Sequence, residues 1–181
     1  MSTGQLVSLV VAAVLVFWVI GAYNRLVGLR NAIAAAWAPI DTALKRRHEI
    51  VPTLLAELRA ELPDEHRTFD ALLAASVQVA ACSDAVRARP STARPVASLA
   101  LAEGVYAGAV ARLVALVEQH PGLAAKDAVA PLLAELKEID GRLVFSRQWF
   151  NDAAAVYDEA ARQFPTSLLA GLFRFGAAGR L

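Results

Sequence analysis

Residues 132–164 read LLAELKEIDGRLVFSRQWFNDAAAVYDEAARQF, and their apolar spacing decides the fold. Leu132, Leu136, Ile139, Leu143, Ser146, Phe150, Ala153, Tyr157, Ala160 and Phe164 alternate steps of four and three without a break. A 3.5-residue period of this kind puts all of them on one narrow stripe of an α-helix and leaves none of the alternation a strand would need. Pro165 closes the helix. Asp140 and Arg147 sit seven apart immediately beside the stripe, where a charge has to find a partner.

Working back from that helix, His120-Pro121-Gly122 ends a third one, expected at about 97–119 with Leu99, Ala102, Tyr106, Ala109, Leu113 and Leu116 inward. Residues 87–96, RARPSTARPV, carry two prolines, three arginines and a Ser-Thr pair, which is linker chemistry. Without interleaved aromatics for base stacking they read as a solvated loop and not as a nucleic-acid site. A second helix is expected at about 64–86, capped by Asp64 after the stop at Pro63, with Phe69, Leu72, Val79 and Val86 inward and Ser76 and Ser83 on the same row. In the first helix Leu26, Ile33, Ile40 and Leu54 form one row and Trp37, Leu44, Val51 and Leu58 another, a stripe of the coiled-coil type. Arg30 and Arg47 interrupt that seam. Pro39 and Pro52 lie within the helix, and each costs about 3 kcal/mol in a helix interior, so a bend or break at one or both is expected. These four helices, the first and last long, predict an all-α chain folded over 25–165 as an antiparallel up-and-down four-helix bundle.

The stretch ahead of the first helix is of a different material. All 18 Lys and Arg and all 17 Asp and Glu follow Asn24. Residues 6–22, LVSLVVAAVLVFWVIGA, are apolar except for Ser8 and Gly21, and about 5–23 suffice to span a bilayer core. The rival is a cleavable signal peptide, which normally begins with Lys or Arg, and MSTGQ has neither. Residues 1–24 therefore read as an uncleaved anchor. Arg25 and Arg30 follow it directly, and the positive-inside rule then leaves the N-terminus outside and the domain in the cytoplasm at the cell (inner) membrane. The whole chain has mean hydropathy +0.45 and 57% hydrophobic residues, far too apolar for intrinsic disorder. One cysteine, Cys82, excludes an internal disulfide or a Cys-based zinc site, and a net charge of +1 gives no pull toward nucleic acid. The apolar tail 166–181, with Arg174 and Arg180, either caps the bundle end or lies on the membrane surface, capping being the commoner fate.

Reactive chemistry is sparse. His48, His66 and His120 are scattered, and His66 with Asp70 supplies two ligands where a metal site needs three or four. Ser76 or Ser83 with His66 lacks a third group to orient the base, and no P-loop, GxSxG or dinucleotide glycine pattern occurs. Cys82 sits in an apolar Val-Ala-Ala-Cys run and reads as a core residue. The chain therefore reads as a non-enzyme with no cofactor and no metal. The sharper constellation is Arg30, Asp41, Arg46, Arg47, Asp140 and Arg147, because unpaired buried charge is too costly to persist. Asp140 is the expected partner of the first-helix arginines, and Arg147 of Asp41. Register-setting ion pairs are the simpler reading, and a pocket for an anion or peptide carboxylate between helices is the functional one.

These residues also carry a family likeness. The run YNRLVGLRNAIAAAWAPIDTALKRRHEIVPTLL, 23–55, resembles the signature of the LemA family: an anchor, Tyr-Asn, Leu-Val-x-Leu-Arg-Asn, Ala-Trp-x-x-Ile-Asp, Leu-Lys-Arg-Arg and Pro-x-Leu. Arg147, Phe150-Asn151, Tyr157 and Phe164-Pro165-Thr166 are similar to the family's Arg-x-x-Tyr-Asn, Tyr-Asn and Phe-Pro-Ser/Thr positions, and Glu118-x-His120-Pro121-x-Leu123 to its Glu-x-Tyr-Pro-x-Leu turn. Phe150 and His120 stand where tyrosines are usual, Asp158 where an asparagine is, and Ser76 where an arginine is expected. The resemblance implies a membrane-anchored helical bundle, mostly bacterial, of undefined biochemical activity and with no catalytic residue to carry over. It adds Asn151 to the polar cluster. The resulting expectation is an interaction or scaffold module, the alternative being a sensor that binds a small anion or peptide between helices. The expected partners are the lipid bilayer through the N-terminal helix and an unidentified membrane or cytoplasmic protein, with homo-oligomerisation open and no nucleic acid.

Overall fold

The computed structural model describes residues 3–173 and 175–181. Met1 and Ser2 of the anchor and Arg174 of the tail lie outside the described residues. All secondary structure among the described residues is helical: α1 (Thr3–Glu61), α2 (His66–Ala88), α3 (Ala93–Glu118), α4 (Pro121–Ala124), α5 (Ala130–Arg162) and α6 (Thr166–Leu172). A single 3₁₀ turn, Pro63–Glu65, precedes α2.

The 59 residues of α1 make one helix, roughly 90 Å long at 1.5 Å per residue. It is not broken at Pro39 or Pro52. The carbonyls those prolines leave without an N–H belong to Ala35 and His48, and Ala35 is exposed, so water can take over the missing bond. The seam runs on across both prolines: Leu26, Ile33, Trp37, Ile40, Leu44, Val51, Leu54 and Leu58 are each 4% exposed or less. Packing on both sides of a proline replaces the stability that its lost hydrogen bond removes.

Along its domain half, α1 packs against α2 and α5, and α2 packs against α3. In α5 the inward row is buried at Leu136, Ile139, Leu143, Phe150, Tyr157 and Ala160. The stripe ends sooner than the sequence pattern does, because α5 stops at Arg162 and Phe164 is 81% exposed. The linker is also shorter than expected. α2 continues to Ala88 and α3 begins at Ala93, with Pro95 tolerated in its first turn. Asp64 is not a helix cap, since it lies in the 3₁₀ turn and α2 starts at His66 without a side-chain cap.

Among the described residues, three stretches are long and apolar enough to cross a bilayer, in α1, Pro63–Ala88 and Ala93–Glu118. The apolar window of α1 is wholly uncovered, whereas 39% and 33% of the other two windows are buried, their apolar faces serving the core. A long uncovered apolar N-terminal helix fits a membrane location.

The end of the chain folds back beside α5. Ala178 N donates to Asp158 Oδ1 at 2.8 Å, and Arg180 reaches Asp158 Oδ2 at 3.1 Å. Leu181 N donates to Asn151 Oδ1 at 2.9 Å while Asn151 Nδ2 returns a bond to Leu181 O at 2.8 Å, and Tyr157 OH donates to Gly176 O at 3.0 Å. Gly179 is needed here for want of room, because a Cβ at this position would lie 2.4 Å from Val96 Cβ on α3.

Candidate functional site

α3 and α5 do not pack closely side by side. α3 rests on α2 and α5 on α1, and a groove runs between them. One section, about 360 Å³, is lined by Arg47, Glu103, Tyr106, Ala107, Val110, Ala111, Asp140, Leu143, Val144 and Arg147. The next, about 420 Å³, shares Val110 and Asp140 and continues along Leu113, Val114, Val117, Leu133 and Leu136. Ala107 and Ala111 keep the α3 wall low. The walls are chiefly apolar, with a cluster of four charged side chains at one end and Glu118 and Lys137 lining the other section.

That end is a four-residue network. Arg47, 4% exposed, comes from α1 and passes between the other helices: one Nη1 bond reaches Asp140 Oδ1 at 3.1 Å and Nη2 donates to Glu103 Oε1. Arg147 donates to the other oxygen of Glu103. The Arg47 guanidinium also lies 4.0 Å from the Tyr106 ring centre, a cation–π contact. Burial works against the Arg47 charge, but Glu103 foremost, with Tyr106 and Asp140, outweighs it and holds the guanidinium above its ordinary pKa. Burial pushes the Tyr106 phenol upward, with Arg47 opposing only in part. Tyr106 is 2% exposed and its hydroxyl is buried without a hydrogen-bond partner among the described residues. A buried donor left unmade beside a groove is costly to the free protein, and a side chain that displaced its cover would satisfy it.

The predicted constellation therefore divides. Arg47, Asp140 and Arg147 meet, but around Glu103, which the sequence reading did not select. Arg147 does not pair with Asp41. That carboxylate faces the α2 side, where it accepts from Arg87 at 2.7 and 2.9 Å and from Lys45 at 2.8 Å, with Ser83 at 3.4 Å. Burial raises the Asp41 pKa, but the bonds from Arg87 and then Lys45 more than offset this and leave it lowered. Arg87, read as part of a solvated linker, is thus an α2 residue holding α1. Arg46 lies on the exposed edge, bonding Glu135 at 2.6 Å and Glu49 at 3.3 Å. Arg30 has no pairing with Asp140; its guanidinium lies 4.2 Å from the Phe175 ring centre and 5.8 Å from that of Tyr157. Asn151 is the clamp for Leu181.

A second polar contact was also missed. His48 Nδ1 lies 3.0 Å from Ser76 Oγ between α1 and α2. His48 lines a small cleft of about 230 Å³ with Lys45, Asp84 and Arg87, but Ser76 is buried beneath it and does not line it. The hydroxyl is not presented to a substrate, and among the described residues no third group orients the imidazole.

A family model described as the LemA family matches residues 36–180 of the chain. Magnetosome protein MamQ of Magnetospirillum gryphiswaldense is 32% identical over 74 residues, 41% of this chain and 27% of the relative. Magnetosome proteins MamQ 1 and MamQ 2 of Paramagnetospirillum magneticum are each 31% identical over 77 residues, 42% of this chain and 28% of theirs. The chain spans under a third of the length of these curated relatives.

Proposed function

Because the chain belongs to the LemA family, we propose that it is a single-pass membrane protein whose up-and-down four-helix bundle, residues 25–165, is a non-enzymatic interaction module held in the cytoplasm by an uncleaved anchor. The α3–α5 groove is its docking surface, and the occupant is an apolar helical segment of a partner protein that brings one hydrogen-bonding side chain to Tyr106. The observation that carries this reading is the apolar groove ending at an unpartnered, 2% exposed phenol. From Glu103 to Val117 it follows α3 for roughly 20 Å, about four turns, which suits a helix laid in a groove. The low Ala107 and Ala111 wall lets another backbone come close.

The anion-sensing alternative draws support from Arg147, whose side chain is one third exposed at the groove. Against it, both arginines are already matched by Glu103 and Asp140, so an incoming anion would meet no net positive charge. A photocrosslinking amino acid at Val114 or Val144, in native membranes, tests the first reading. It is expected to capture the same partner from both positions, and Ala111→Trp, which fills the groove from an exposed position, is expected to abolish the capture. Capture unaffected by Ala111→Trp would refute the groove as the docking surface, and stabilisation of the chain by phosphate or short carboxylates, lost in Arg147→Ala, would favour the sensor.

A further inference from the structure

The segment 163–173, QFPTSLLAGLF, has no charged residue, and it exposes its largest side chains: Phe164 is 81%, Leu168 66% and Leu172 74% exposed. Positions 164, 168 and 172 recur at steps of four and lead away from the buried Thr166, Leu169 and Ala170. Left in water, such a patch would be costly. Its place in the fold says what covers it. α6 packs on α1, and the Tyr23 ring meets Phe173 edge-on at 5.4 Å and Phe175 at 5.8 Å between centres. Tyr23 lies one residue before the end of the charge-free run of α1, two residues before Arg25. Further up the anchor, Trp18, Val19 and Ala22 are half-buried on one face while Phe17, Ile20 and Gly21 around them are exposed. The tail thus reaches the level of Trp18, which is roughly 10 Å on the apolar side of Arg25.

Resting on the reading of α1 as a membrane anchor, we propose that residues 164–173 are a second membrane contact, a short apolar wedge seated in the interface of the bilayer that α1 crosses. The depth agrees with the roughly 5–10 Å at which interfacial segments bury their apolar faces. Arg25 and Arg162, both exposed and both within two residues of the apolar stretches they border, stand where lipid phosphates would lie. The remainder of the tail, 175–181, is tied to Asp158 and Asn151, so the wedge is braced from below by the domain. Two points of attachment fix the tilt of the domain against the membrane, which a single helix crossing would leave free.

The test uses the full-length wild-type chain in vesicles of phosphatidylethanolamine and phosphatidylglycerol doped with a phospholipid that carries a diazirine near the headgroup end of one acyl chain. After illumination, adducts are mapped by peptide. Adducts on 164–173 in addition to 6–22, severalfold above those on the exposed Phe145 and Trp149 of α5, are expected. The variant with Leu168→Asp and Leu172→Asp, both at exposed positions, should keep its helical content and lose the adducts on 164–173. Adducts confined to 6–22 would overturn the wedge and leave the anchor standing, as would chain-to-chain crosslinks through 164–173, which would assign the patch to a second copy. Adducts on neither segment would remove the anchor itself and the wedge with it.

Discussion

Arg47 is the residue on which most of the interior electrostatics converge. It carries a charge at 4% exposure and satisfies it with Glu103 and Asp140 from two other helices. Removing one member of such a network leaves the others buried and unpaired, so Arg47→Ala should lower unfolding stability by about 3–5 kcal/mol. Replacing Arg47 with Met together with Glu103→Leu and Arg147→Leu should restore most of that loss, because apolar residues of similar volume avoid the desolvation cost altogether. Denaturant unfolding of the detergent-solubilised chain measures both. Asp41 gives the pH counterpart. Its native pKa is lowered, so the stability it contributes is complete above the ordinary carboxylate value of about 4 and is lost as pH falls through the native value. The stability difference between wild type and Asp41→Asn should therefore be constant at neutral pH and vanish in acid, as a series of melts across pH would record.

At the scale of the element, α1 passes through Pro52 although propensity argues against it. Pro52 is exposed, while Val51 and Leu54 beside it are fully buried and hold the helix. Pro52→Ala should restore the missing hydrogen bond to His48 and raise the melting temperature, by an amount of up to about 3 kcal/mol in stability. A lower melting temperature would mean that the proline serves a bend that the domain requires. Gly179 poses the opposite constraint, that of contact with Val96. Gly179→Ala should cost roughly 1–3 kcal/mol as an overpacking change. It should appear first as faster hydrogen exchange at Ala178 and Leu181, whose amides are held by Asp158 and Asn151.

At the scale of the whole molecule, the assembly is packed along α1–α2, α2–α3 and α1–α5, and α3 and α5 are bridged by the Glu103–Arg147 pair without packing closely. α3 is held chiefly by α2, with the side-chain bonds of Glu103, the Arg47–Tyr106 contact and the Val96–Gly179 approach as its ties to the rest. The α2–α3 hairpin should open as one unit at lower free energy than α1 with α5. Native-state hydrogen exchange with peptide resolution checks this, and protection in α3 equal to that in α5 would contradict it.

Periodicity determined that the chain is helical and, Phe164 apart, which residues of α1, α2, α3 and α5 face inward, and the absence of charge set the first 24 residues apart from the rest. It could do so because hydrophobic burial acts on each helix separately and writes its stripe into that helix's own sequence. What depended on two helices at once was decided by tertiary structure. Glu103 lies four residues after Leu99 and three before Tyr106, on the seam, and is the sole carboxylate of α3 ahead of Glu118. That was a legible signal, but nothing local says that Arg47 and Arg147 both reach it. Asp41 found Arg87 and not Arg147 because the azimuth of a side chain on α1 selects α2 or α5 as its neighbour, and the seam pattern does not distinguish the two sides. The α3–α5 groove is a gap between two helices joined by the Glu103–Arg147 pair but not packed side by side, and a gap of that kind leaves no period in either sequence.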